Sequence, residues 1–297
     1  MNSPTLPRWR FGLENRDLAW LGGVLGVGLV LRIIYLLGTA SKPLDSDALS
    51  YFTIASNVTK GRGFADVFPG LFVHATAFRP PGYPMLLAGV FEITGPSAGV
   101  ARGVNLILGL LVISLTFLLV RRQTSLLAAT VAGVAVAIMP NLIANDVNVL
   151  SDPLSLCFLL GTLLCVLAKR WWWVGILAGL LVLTRPSAQV FILAIAIWVA
   201  VTARWKPLGK VALAGVLVVS PWFIRNWVEF GSPIYVTSNG FNWAAVYSAP
   251  AQANGRYTDP VYDHAWDHDR MLQFDEAAWS KKLQTEGIDG LKANPGY

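Results

Sequence analysis

Seven long apolar runs, separated by short polar boundaries of which every second one is basic, constrain this chain more than any other feature of its sequence. A bilayer core is about 30 Å thick and takes about 20 apolar helical residues to cross. The runs cover residues 18–37, 100–120, 125–144, 150–168, 171–183, 187–203 and 208–223. Cations in short loops favour the cytoplasm. Arg8, Arg10 and Arg16 precede the first run, Arg121 and Arg122 follow the second, Lys169 and Arg170 the fourth, and Arg204, Lys206 and Lys210 the sixth. The chain is therefore expected to be an all-α polytopic membrane protein. Its N-terminus (residues 1–17) is cytoplasmic, residues 18–230 form the membrane domain, and a first outer loop (38–99) and a polar tail (231–297) lie on the other side.

Composition agrees with a lipid environment: 55% of the 297 residues are hydrophobic and only 13% charged, more apolar side chain than one soluble core would use. The net charge of +6 resides in the loop clusters and builds no nucleic-acid-binding face. Cys157 and Cys165, eight positions apart on one helical run, stand roughly 12 Å apart along its axis and cannot bridge each other. The first run is too long for a cleaved signal peptide and reads as a retained anchor. The sequence stops at Asn294-Pro295-Gly296-Tyr297 with no terminating element, so the tail is expected to be incomplete.

The first outer loop holds the strongest candidates for chemistry. Residues 46–58 read as an amphipathic helix and 84–93 as an apolar helix too short to cross, both suited to the membrane surface. Asp47 lies four residues before Tyr51, on the same helical face, and a carboxylate at the membrane boundary can serve as a general base. Asp45 is either a second acid or, with Ser46, a helix cap. In Arg79-Pro80-Pro81-Gly82-Tyr83-Pro84 the prolines fix the backbone, so that Arg79 is presented either to a phosphate or, as a snorkelling side chain, to the interface.

Later boundaries add further groups. Asp152 before Pro153 is a second acid or a helix cap. Arg185 in Thr184-Arg185-Pro186 needs an anionic partner, and Arg225 at the end of the seventh run sits within an aromatic belt. Asp263, His264, Asp267 and His268 are better read as a surface tail than as a metal site; a divalent metal near the candidate catalytic acids is left open. Asn57-Val58-Thr59 is a weak glycosylation pattern. Gly175-xxx-Gly179 fits close helix packing. Arg32 is the cation well inside a run.

Taken in order, these motifs resemble the GT-C superfamily of membrane glycosyltransferases, nearest to the protein O-mannosyltransferase and lipid A aminoarabinose transferase branch. The matching pieces are Asp47, Tyr51 and Ala55 followed by Gly61-Arg62-Gly63-Phe64; Ala77-Phe78-Arg79-Pro80-Pro81-Gly82-Tyr83-Pro84; Leu150-Ser151-Asp152-Pro153-Leu154; and Leu183-Thr184-Arg185-Pro186, with Pro221 to Asn226 and Gly231 fitting the later membrane exit. The resemblance implies a GT-C-like helix bundle and a polyprenyl-phosphate sugar donor. It further implies a lipid, glycan or protein acceptor, and transfer on the outer face of the plasma membrane. It makes Asp47 the catalytic base and Arg79 a ligand of the donor phosphate; Arg185 or Arg225 is a further candidate for that phosphate, the alternatives being a lipid headgroup for Arg185 and belt anchoring for Arg225, with Asp45, Tyr51, Tyr83 and Asp152 as supporting candidates. Members of the superfamily carry more spans and a periplasmic domain, so a truncated or inactive fragment is one alternative. A transporter or flippase is the other; it would need charges at mid-bilayer depth in several runs.

Overall fold

The computed structural model describes residues 13–67, 72–203, 205–260 and 275–297. Arg8, Arg10, Arg204 and the group Asp263, His264, Asp267 and His268 lie outside the described residues. The described chain is almost entirely helical and falls into two compact units. One comprises Met1–Ala48 and Thr94–Val218, the other Leu49–Ile93 and Val219–Tyr297.

In the first unit the helices are α1 (Asn15–Thr39), α4 (Ala98–Arg121), α5 (Leu126–Ile138), α6 (Pro140–Val147), α7 (Asp152–Leu167), α8 (Trp171–Val182), α9 (Gln189–Ala203) and the start of α10 (Trp205–Phe230). Helix α4 is central, packed on α1, α5, α6 and α7, and α8 packs on α7. Val24, Ile113 and Ala137 are buried between α1, α4 and α5. Asp17 on α1 pairs with Arg121 at the far end of α4, fastening their ends at 2.9 Å. The outward faces carry Trp20, Val30, Ile34 and Leu37 on α1 and Val190, Phe191, Ile197 and Val201 on α9. Apolar surface on that scale suits contact with hydrocarbon.

All seven apolar runs are helical, but their lengths differ. Helices α1, α4 and α10 are each long and apolar enough to cross a membrane, and the pair α5–α6 adds a fourth such segment bent by 58°. The bend follows from Pro140: Met139 before it is extended (φ −67°, ψ 115°), as a residue preceding proline prefers to be. Helices α7, α8 and α9 are shorter; the 12 residues of α8 rise about 18 Å, less than a bilayer core. The seventh apolar run ends at Phe223 in the sequence, yet α10 continues to Phe230 with Pro221 inside it. Arg225 and Asn226 therefore sit within the helix instead of after it. Gly175 and Gly179 do mark close packing, since a Cβ on Gly175 would come within 2.4 Å of the Val211 carbonyl oxygen and one on Gly179 within 2.9 Å of Val218.

The second unit contains most of α2 (Ser46–Thr59), a short hairpin, α3 (Gly82–Thr94), the end of α10, and three further helices: α11 (Ser238–Tyr247), α12 (Ala249–Asn254) and α13 (Glu276–Ala293). The hairpin pairs β1 (Ala65–Asp66) antiparallel with β2 (His74–Ala75), setting Ala65 opposite Ala75 and Asp66 opposite His74. The tail beyond residue 231 is more than a polar surface segment. Its Phe241, Ala244, Ala245 and Leu283 form one buried cluster with Phe78, and Trp279 packs against it. Helices α11 and α13 approach so closely that a Cβ on Gly287 would lie 2.5 Å from the Trp243 carbonyl.

Candidate functional site

Arg79 sits at the end of a segment whose backbone is held at nearly every peptide. Thr76 N–H donates to the Phe64 carbonyl at 3.1 Å. Arg225 donates to the Thr76 carbonyl at 2.7 Å and to the same Phe64 carbonyl at 3.0 Å, so one guanidinium bridges the two sides of the hairpin base. Ala77 N–H donates to Glu276 Oε1 at 2.9 Å, and the Ala77 carbonyl accepts from Thr237 N–H at 3.1 Å. Phe78 N–H is taken by the Thr76 hydroxyl at 2.9 Å.

The side chains continue this order. The Phe78 ring packs edge-on to Phe241, with centroids 5.4 Å apart. The Arg79 guanidinium lies over the Phe78 ring at 4.9 Å and the Tyr51 ring at 5.4 Å, and Tyr51 meets Tyr83 edge-on at 5.1 Å. A cation over an aromatic face is attracted by the ring quadrupole and is thereby oriented. The structure thus brings together three of the sequence candidates, Tyr51, Arg79 and Tyr83. Arg225 reaches the same segment through its backbone, its own guanidinium lying against Phe64, Trp222 and Phe230.

The remaining candidates fall in the first unit. Asp47 is partly exposed in the first turn of α2, and Asp45 is exposed just before it. The loop that leads to them is anchored by Arg102 of α4, buried at 8% exposure, which donates to the carbonyls of Ala40 and Lys42, each at 2.7 Å. Asp152 lies in the first turn of α7, after the N-cap residue Ser151, and its carboxylate pairs with Arg185. Asn105 steadies the preceding loop by donating to the Leu150 carbonyl at 2.9 Å.

Four groups that matter here did not emerge from the sequence: Glu276, Thr237, Arg102 and Asp146. Asp146 supplies the partner of Arg32. Its Oδ2 receives both Arg32 Nε and a terminal guanidinium nitrogen at 2.6 Å, deep in the helix bundle. Arg32 also donates to the carbonyls of Gly28 and Ala137, the latter near the end of α5 just before the break at Pro140. A cation inside an apolar run requires such a partner, and that was the available signal. For Glu276 the signal was Trp279 and Leu283 at the third and seventh following positions, a helical face that also carries the carboxylate.

The glycosylation pattern is closed, because Asn57 is buried and its amide donates to the Ala65 carbonyl at 2.9 Å. Among the described residues no group of three His, Cys, Asp or Glu side chains could hold a metal ion.

Residues 78–225 match the family model described as dolichyl-phosphate-mannose-protein mannosyltransferase. The match supports the GT-C superfamily. It covers just under half of the chain, opens one residue before Arg79 and closes on Arg225, with Tyr83, Asp152 and Arg185 between them. A membrane glycosyltransferase of GT-C type using a polyprenyl-phosphate sugar donor is what this match supports. Comparison with curated proteins and with solved structures gives no match.

Proposed function

We propose that this chain transfers a sugar from a polyprenyl-phosphate donor to an acceptor hydroxyl of a lipid, glycan or protein, on the extracytoplasmic face of the plasma membrane, as in the protein O-mannosyltransferase and aminoarabinose transferase branch. The observation that carries the reading is Arg79, oriented over Phe78 and Tyr51 and lying within the matched stretch. In the reaction the acceptor oxygen attacks the anomeric carbon as the bond from that carbon to the phosphate oxygen breaks. Configuration inverts in this single displacement. Polyprenyl phosphate departs with the bonding pair, and Arg79 meets its charge. Asp47 takes the acceptor proton as general base. Arg185, partly exposed beside Asp152, is the second cation for the phosphate; Arg225 acts through the backbone that leads to Arg79.

The rival reading as a transporter gains little from the intramembrane charges. Arg32 and Asp146 are buried against each other, and Arg32 also donates to two backbone carbonyls, so the pair lines no open pathway among the described residues. The direct test is Asp47→Asn in membranes supplied with radiolabelled polyprenyl-phosphate sugars. Transfer is expected to fall by about a hundredfold or more while the chain stays folded. Turnover at the wild-type rate would remove Asp47 from the mechanism.

A further inference from the structure

Glu276 is a carboxylate at 2% exposure with no assigned role, and each oxygen has a defined partner set. Oε1 accepts the Ala77 N–H at 2.9 Å and the Thr237 hydroxyl at 2.5 Å. Oε2 faces His74 Nε2 at 3.2 Å. Ala77 is two residues from Arg79 and is gripped from both ends, its carbonyl by the Thr237 backbone and its N–H by Glu276. Glu276 opens α13, and Trp279 and Leu283 on the same helical face pack on Phe78, whose ring supports the Arg79 guanidinium. One helix face therefore holds the peptide before Phe78 with a charge and the Phe78 ring with apolar contact. A hydrogen bond from a buried amide to a carboxylate is among the stronger ones a backbone can make, and leaving that amide unmade is costly.

We propose that Glu276 is the positioning residue for Arg79, so that selection of the phosphate end of the donor is set by α13. The proposal rests on the reading of Arg79 as the phosphate ligand. Glu276 touches neither donor nor acceptor; it fixes the direction of the 76–79 segment and thereby the place where the guanidinium waits. A purely structural role would weaken all ligands alike, whereas a positioning role weakens only what Arg79 binds.

The experiment compares equilibrium binding of decaprenyl phosphate and of neutral decaprenol to the full chain in lipid nanodiscs. Wild type is expected to favour the phosphate and R79A to lose that preference. E276A should reduce the preference about tenfold with decaprenol affinity unchanged, and E276Q, whose amide oxygen still accepts from Ala77 and Thr237, should stay within about threefold of wild type. If R79A keeps the preference, the phosphate reading of Arg79 fails and the proposal falls with it. If R79A loses it while E276A keeps it, or if E276A weakens both ligands equally, the positioning role alone is overturned. Should E276A not fold, Thr237→Val, which removes one donor to Oε1, takes its place; about a threefold loss of preference supports the proposal and an unchanged preference overturns it.

Discussion

Each of the two units of this chain is stabilised internally by a different kind of interaction. In the first, apolar helices pack around α4 with small residues at the close approaches, and its deepest polar contact is a single ion pair, Arg32 with Asp146. In the second, two loop segments are pinned by several bonds between side chains and backbone: Arg225 to the Thr76 and Phe64 carbonyls and Glu276 to the Ala77 amide on one, Asn226 to the Ile234 carbonyl and Trp222 to the Tyr235 carbonyl on the other. Concentrated and distributed polar stabilisation fail differently. Removing one partner of a buried pair strands a charge, whereas removing one bond of many leaves the others to hold the loop.

The sharpest break should therefore come from the first unit. Arg32→Met leaves Asp146 without its guanidinium in apolar surroundings and is expected to cost about 3–5 kcal/mol, seen as a lower midpoint of detergent-induced unfolding. Adding Asp146→Leu should restore most of that loss, because two apolar side chains can fill the space that the pair occupied. A single Arg32→Met variant as stable as wild type would erase the contrast between the units. Gly109 sharpens the geometry: a Cβ there would fall 2.1 Å from Asp146 Oδ2, so α4 can carry no larger residue beside the pair without a shift.

In the second unit the corresponding variant is Arg225→Lys. Lysine keeps the charge but loses the planar fork that reaches the Thr76 and Phe64 carbonyls together. A loss of about 1.5–3 kcal/mol is expected, smaller than for Arg32→Met, with faster amide exchange confined to residues 64–66 and 74–79. Exchange that rises evenly across the whole chain would argue against a locally pinned loop.

The same contrast explains what could be read from sequence. Hydrophobic run length and helical period dictate α1, α4 and the apolar helices around them, and Arg79 stands out because two prolines follow it. Residues 46–59 and 82–94 were likewise recoverable from local pattern, as were the small residues at Gly175 and Gly179. The break at Pro140 was harder, since the run reads as continuous in composition while one missing N–H and the constraint on Met139 decide the bend. Glu276 lies 199 residues from the amide it holds, and Asp146 lies 114 residues from Arg32. Neither pairing has a periodic trace, because hydrogen bonds between distant residues are specified by the assembled fold and not by neighbours in the chain. The tail reads as polar for the same reason: the residues that build its buried cluster, Phe241, Ala244, Ala245 and Leu283, are scattered among polar ones and meet only in the assembled fold.

The smallest effect expected is one of pH, carried in the second unit by His74. Burial by itself would push the His74 pKa down. The hydrogen bond to Glu276, that to the Phe72 carbonyl, and the charges of Glu276 and Asp66 outweigh burial and hold the imidazole above its ordinary value of 6.5. A group whose folded pKa is raised contributes its stabilisation in full below the ordinary value and loses it as pH climbs through the raised one. The second unit should accordingly lose thermal stability as pH is taken upward from below 6.5, and His74→Gln should flatten that slope while the melting of Arg32→Met keeps it. Stability that instead rises over this interval, or a slope that survives His74→Gln, would mean that the imidazole does not gain from Glu276 in the folded chain and that the carboxylate is held by Ala77 and Thr237 alone.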